Sequence, residues 1–248
     1  MNGILYFSST GNSLDISLKI KERFGGSIIY IPTYDGTGKE FDKLFIVTPI
    51  YSYGLPIHVL NLLPRLDKKV EIYVIQNYGG MTGGADYLFY KYALKYGLNI
   101  KSMYLVKMPE NFTLTFSVPK FYMNKTLKKS RKVIERILND IESNNYKLPR
   151  PKRTKEKTYL KNKQNWHKIG ERFSINSNCI MCSKCINLCP VSNITMVDSR
   201  IVFSDKCTAC LGCYHRCPTK AIVYMNKKKK DRYINPNIKE NTLGTDIK

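Results

Sequence analysis

From residue 1 to about residue 108 the chain alternates short apolar runs with segments of helical period. Ile4-Leu5-Tyr6-Phe7 is too short for a helix and rich in strand formers. Ser27 to Ile31, Lys43 to Thr48, Val70 to Gln76 and Lys101 to Lys107 read the same way. Between them, Gly11 to Phe24 carries Leu14, Ile16, Leu18, Ile20 and Phe24, a mixed pattern that reads as helical. Ala85 to Tyr96 carries Leu88, Phe89, Tyr92, Ala93 and Tyr96 at the spacing of a helix face. Pro56 suits the first position of a further short helix. Strands alternating with helices predict a parallel sheet covered on both faces. A longer helix is predicted from Pro119 to Ser143, with Val133, Ile134, Ile137, Leu138 and Ile141 as its apolar stripe. The pattern then changes. Lys147 to Arg172 is polar and basic and contains Pro149 and Pro151; a compact cysteine-rich stretch runs from Phe173 to Tyr224; Asn226 onward begins with Lys227–Lys230 and continues through Asn, Pro and Gly. The expected organisation is an α/β domain over residues 1–146, a basic linker over 147–172, a small α+β domain over 173–225 and a disordered tail over 226–248.

Charge changes the picture only after it is placed. The 248 residues hold 41 Lys and Arg against 19 Asp and Glu, a formal net charge of +22. That total suggests nucleic acid or an anionic surface. Residues 1–117 are net +3 and residues 173–225 net +3, whereas residues 118–172 carry +12 and the tail +4. Most of the excess therefore lies on the long helix, the linker and the tail. These basic runs lack interleaved aromatics and any known nucleic-acid module, so nucleic acid is disfavoured and solvated basic faces are the simpler reading. No apolar run reaches the roughly 20 residues of a membrane span. The N-terminus has no signal-peptide pattern, so the cytoplasm is the expected compartment.

All eight cysteines fall between Cys179 and Cys217. Cys179, Cys182, Cys185 and Cys189 are followed by Pro190; Cys207, Cys210, Cys213 and Cys217 repeat the same spacing and are followed by Pro218. Crowded cysteines behind a cysteine-free stretch point to metal ligands rather than disulfides. Structural zinc usually takes separated pairs with a longer spacer. Three evenly stepped cysteines plus Cys-Pro are the spacing of bacterial two-cluster ferredoxins. Residues 173–225 thus resemble a bacterial 2[4Fe–4S] ferredoxin. The resemblance implies one cluster on Cys179, Cys182, Cys185 and Cys217, and another on Cys207, Cys210, Cys213 and Cys189. It also implies an apolar sheath from Ile180, Met181, Ile186, Ile194, Val202, Ala209, Ile222 and Val223.

The first predicted strand is followed by Ser8-Ser9-Thr10-Gly11-Asn12-Ser13 and then a helix. Hydroxyls, backbone N–H groups and a helix N-terminus make an anion site there. Neither G-x-x-x-x-G-K-[ST] nor G-x-G-x-x-G is present, which disfavours nucleotide and dinucleotide loops. The run resembles the flavodoxin phosphate loop. Residues 1–146 accordingly look like a short-chain flavodoxin, which implies a five-stranded sheet of order 2-1-3-4-5 with FMN at the carboxyl ends of its strands. At the same edge the third strand leads into Pro49, Ile50, Tyr51, Ser52, Tyr53 and Gly54, which offer aromatic faces. The fourth leads into Asn77, Tyr78, Gly79 and Gly80, whose glycines let backbone approach a ring. The domain departs from flavodoxins in being mildly basic and in lacking a Trp in these loops. Residues 109–116 are an extension at this edge that either covers the flavin or shapes the docking of the cysteine domain.

The order of the two parts resembles the flavodoxin–ferredoxin fusions called ferrodoxins. That resemblance implies electron transfer between FMN and two [4Fe–4S] clusters, linking two-electron and one-electron partners in anaerobic metabolism, with acidic redox proteins such as ferredoxin or flavodoxin as partners. A flavin-dependent reductase of a small molecule, fed by the clusters, is the alternative; a nucleic-acid-binding protein with structural clusters is a remote one. Of the three histidines, His58 and His215 have no partner pattern and read as structural, and Trp166, beside His167, reads as an anchor for the linker.

Overall fold

The computed structural model describes residues 1–114, 117–225 and 232–247. Its larger part is a sheet of five parallel strands in the order 2-1-3-4-5: β1 (Asn2–Tyr6), β2 (Ser27–Tyr30), β3 (Lys43–Pro49), β4 (Glu71–Tyr78) and β5 (Ile100–Lys107). The α/β class and strand order expected from the sequence are the ones observed. The central strands are buried on both faces, which is why Ile4-Leu5-Tyr6, Leu44 to Val47 and Ile72 to Ile75 read as continuous apolar runs.

Helix α1 (Asn12–Phe24) buries Leu14, Ile16 and Ile20. The short α2 (Ile57–Leu62) begins directly after Pro56. On α3 (Ala85–Lys95), Leu88, Phe89 and Ala93 form the buried face. The long α4 (Lys120–Glu142) buries Leu127, Ser130, Ile134, Ile137, Leu138 and Ile141, positions three and four apart, and turns its basic residues outward. Arg23 of α1 reaches Glu135 and Glu142 of α4, both at 3.0 Å.

The basic segment expected as a linker is folded onto the sheet domain as α5 (Glu156–Gln164) and α6 (His167–Glu171). Tyr159 is completely buried and donates a 2.8 Å hydrogen bond to the Leu55 carbonyl. Trp166 packs edge-on against Tyr159 and Tyr51. Two apolar anchors thus hold a segment that is otherwise polar.

The cysteine-rich part contains β6 (Phe173–Ile175) paired with β9 (Ile222–Tyr224), and β7 (Ile194–Val197) paired with β8 (Arg200–Phe203), both antiparallel. The short helices α7 (Lys184–Asn187) and α8 (Gly212–Arg216) begin inside the two cysteine triplets.

The tail corrects an expectation. Residues 232–247, read from composition as disordered, are packed against both parts of the chain. Ile247 pairs with Ile28 of β2, and Tyr233, Asn235, Ile238 and Leu243 are buried. Asn and Pro here serve tight local turns and side-chain bonds rather than disorder: Asn235 accepts from the Asn237 N–H at 3.0 Å. Lys227–Lys230 lie outside the described residues.

Candidate functional site

The two cysteine triplets repeat one backbone path. Met181 and Ser183 in the first, and Ala209 and Leu211 in the second, occupy equivalent positions, and all four have φ between 53° and 59°. Left-handed backbone at non-glycine residues is uncommon and costs energy. Its recurrence at matched offsets shows that both triplets must curl in the same way. The Cys-Pro ends repeat too: the Asn193 N–H donates to the Cys189 sulfur at 3.2 Å, and the Ala221 N–H donates to the Cys217 sulfur at 3.2 Å.

The chain brings Cys179, Cys182, Cys185 and Cys217 around one cavity, and Cys189, Cys207, Cys210 and Cys213 around a second. These are the two groupings implied by the ferredoxin resemblance. Among the described residues no three Cys, His, Asp or Glu side chains converge as they would on a single metal ion. Burial raises the thiols of Cys185, Cys210 and Cys213, and pushes Cys207 up to about 11. At Cys217 burial also pulls upward. The N–H groups of Ile222, Ala221 and Thr219, with the Thr219 hydroxyl, outweigh it and hold that thiol low. Thiolates in so apolar a site need compensating positive charge, which iron supplies. The donor set therefore fits an iron–sulfur cluster in each cavity.

The sheath differs in part from expectation. Ile194 and Ile222 are buried, but Ile180 is 63% exposed, and Met181 and Val202 are also open to solvent. The first cavity lies near the surface, with Cys182 exposed, whereas Cys210 packs against the core of the sheet domain.

A groove of about 650 Å³ opens at the carboxyl edge of the sheet. Pro49, Ile50, Tyr51, Ser52 and Tyr53 after β3, and Asn77, Tyr78, Gly79 and Gly80 at the end of β4, line it together. Gly54 does not. It is buried under Tyr159, whose ring stands 2.4 Å from where a Cβ would be, and it closes a two-bond turn with Tyr51. Of the predicted phosphate loop only Asn12 lines the groove; Ser8, Ser9, Thr10, Gly11 and Ser13 are buried behind it. Glu110, Asn111 and Phe112, from the extension expected at this edge, form part of the far wall; sequence reasoning missed the rest of it, Asn162, Asn165, Trp166 and Ile169 from the α5–α6 segment. Trp166, the only Trp in the chain, was visible as an anchor but not as a groove residue, because its position depends on how α5 docks.

The loop's hydrogen bonds suit an anion. Ser8 Oγ accepts from the Gly11 N–H at 2.9 Å, Thr10 Oγ1 from Asn111 Nδ2 at 2.8 Å, and Ser13 Oγ from Asn77 Nδ2 at 2.7 Å. Each bond uses an oxygen lone pair and leaves the O–H as a donor. Gly11 stands at the N-cap of α1, with φ 98° and no side-chain cap. Hydroxyl donors at an uncapped helix N-terminus, beside an aromatic-lined groove of this size, fit a flavin phosphate and ring. The Lys155 ammonium sits 4.5 Å from the Tyr53 ring centre, and Tyr51 is wedged between Phe7 and Trp166.

The groove also touches the second cysteine cavity, since Ala209, Cys210 and Leu211 form part of its wall. Residues 172–218 match the family of the 4Fe-4S dicluster domain. That match spans all eight cysteines of the dicluster domain. Among solved structures, the chain is similar to a two-electron reduced flavodoxin from Megasphaera elsdenii (18% identity, TM-score 0.37, covering 42% of this chain and 85% of that one). It is also similar to a flavoprotein from Lactobacillus acidophilus in complex with FMN (16%, 0.36, 42% and 91%) and to an archaeal flavodoxin (13%, 0.37, 57% and 99%). No curated protein sequence matches the chain. The strand order itself carries the flavodoxin-like assignment. The chain thus joins a flavodoxin-like sheet to a 4Fe-4S dicluster domain, an arrangement for redox chemistry. Among the described residues no helix is long and apolar enough to cross a membrane.

Proposed function

We propose that the chain carries electrons between an FMN held in the groove and two [4Fe–4S] clusters held by the eight cysteines. The observation that carries this reading is Cys210, which belongs to the second cysteine cavity and also lines the flavin groove. When bound, FMN exchanges one or two electrons and each cluster one, so together they connect two-electron and one-electron partners. The chain's own residues bind and orient. Asn12 faces the phosphate end, with Ser8, Thr10 and Ser13 shaping the loop behind it; the loops 49–53 and 77–80 flank the ring; Trp166 and Phe112 exclude water from the side facing Cys210. N–H donors to the Cys189 and Cys217 sulfurs favour negative charge on the clusters.

The exposed face beside Cys182, with Ile180 and Met181, is the port for the external partner, which we take to be an acidic redox protein because the chain is strongly basic.

Anaerobic purification with iron, sulfide and flavin quantitation tests the proposal, followed by a redox titration monitored by EPR. The expected result is one FMN and iron for two clusters per chain, both bleached on reduction. A chain that retains only one type of chromophore after full reconstitution would sink the reading.

A further inference from the structure

The corrected tail points to a role of its own. A closed circuit of hydrogen bonds joins four separate segments beside the groove. Asn111 Nδ2 donates to Thr10 Oγ1 at 2.8 Å. The Asn111 carbonyl accepts from His215 Nε2 at 2.8 Å, and His215 Nδ1 accepts from the Tyr233 N–H at 3.2 Å. The Tyr233 hydroxyl then donates to Asn12 Oδ1 at 2.6 Å, which returns the circuit to the phosphate loop. Each bond crosses between elements: the turn from Thr10 into α1 at Asn12, the segment after β5, the helix α8 that carries Cys213, and the tail.

A second set of bonds reinforces the first. The Asn235 N–H donates to the Thr10 carbonyl at 2.7 Å. Asn235 Nδ2 reaches Asp15 at 3.1 Å and Asn12 Oδ1 at 3.3 Å, and Asn235 is completely buried. On the cluster side, the Arg216 guanidinium donates to the carbonyls of Glu240 and Leu243 at 3.1 and 3.2 Å. Gly11, at the turn of the loop, is backed by Asn235 and Ile238 at 3.1 Å from where its Cβ would stand. The tail therefore packs directly against the loop, and reaches Asn12, the loop residue that lines the groove.

We propose that residues 233–243 are a strap that holds the flavin phosphate loop and the cysteine-bearing helix α8 in one block, with Tyr233 and Asn235 as positioning residues that set flavin retention through Asn12 and Thr10. This rests on the flavin reading above, and it adds that the grip on the phosphate comes partly from a segment more than 200 residues downstream.

The test uses the full chain, reconstituted with clusters and FMN. Tyr233→Phe removes one hydroxyl and keeps the ring, so FMN dissociation is expected to quicken about fivefold, the worth of one hydrogen bond, with iron and sulfide content unchanged. Asn235→Ala removes several bonds and should loosen FMN further. A chain lacking residues 232–248 should release FMN faster still and should exchange the amides of residues 9–13 sooner than the full chain. FMN release within twofold of the parent in both point variants overturns the proposal. Unchanged amide exchange in the shortened chain overturns it as well. If the shortened chain fails to fold, the point variants decide. If the parent chain takes up no FMN, the flavin reading fails, while amide exchange at residues 9–13 in the point variants still decides whether the strap holds the loop.

Discussion

His58 lies against Phe7, with ring centres 5.0 Å apart, and its Nε2 is buried without a partner. Burial lowers its pKa to about 4. The unfolded chain takes up this proton near the ordinary value of about 6.5, so protonation favours unfolding below that pH. Stability from a neutral His58 is fully present above about pH 6.5, declines as pH falls, and is lost below about pH 4. Comparing His58→Gln with the parent by chemical denaturation should show the parent's advantage shrinking by up to about 3 kcal/mol across that window. Equal acid sensitivity would contradict this. At this scale much was legible in the sequence. The cysteine spacing and the Ser8–Ser13 run carry their chemistry in a few adjacent positions, where local order is enough to read it. Trp166 and Tyr233 were not legible as site residues, because only tertiary packing brings Trp166 to the groove and Tyr233 to Asn12.

At the scale of elements, hydrophobic period located every strand of the sheet and placed α4 to within a residue at each end. The α5–α6 segment reads as a linker because its mean composition is polar, and two large aromatic residues nevertheless fix it. The tail was misread for the same reason, since charge and Asn/Pro content say nothing about four buried anchors spread over eleven residues. Helix α6 brings a testable consequence. A Cβ on Gly170 would stand 2.6 Å from the Cys207 Cβ. Gly170→Val should therefore displace Cys207 and reduce iron content by about one cluster, with FMN retained. Full iron content in that variant would show that α6 moves freely away from the cysteine. The cost of such overpacking is about 1–3 kcal/mol.

At the scale of the whole molecule, the groove at the carboxyl edge of the sheet and the second cysteine cavity share a wall, while the first cavity opens to solvent. Charge is arranged around this core rather than within it, with the basic face of α4 and the 147–172 segment outside. If acidic carriers dock here, raising salt from low to high ionic strength should slow electron transfer to an acidic ferredoxin by about tenfold. Stopped-flow rates measure this, and salt-independent rates would remove the electrostatic partner from the proposal. The strap has a further consequence for how such a molecule is made. Its Tyr233–Asn12 bond joins positions 221 residues apart. At about 5–20 residues per second, a ribosome delivers Tyr233 roughly 10–40 s after Asn12. During that interval the nascent sheet carries the Ser8–Ser13 loop without its tail contacts. If the strap grips the loop as proposed, tight flavin capture belongs to the late stage of synthesis, and a chain interrupted before residue 233 would give up its flavin to the surrounding pool.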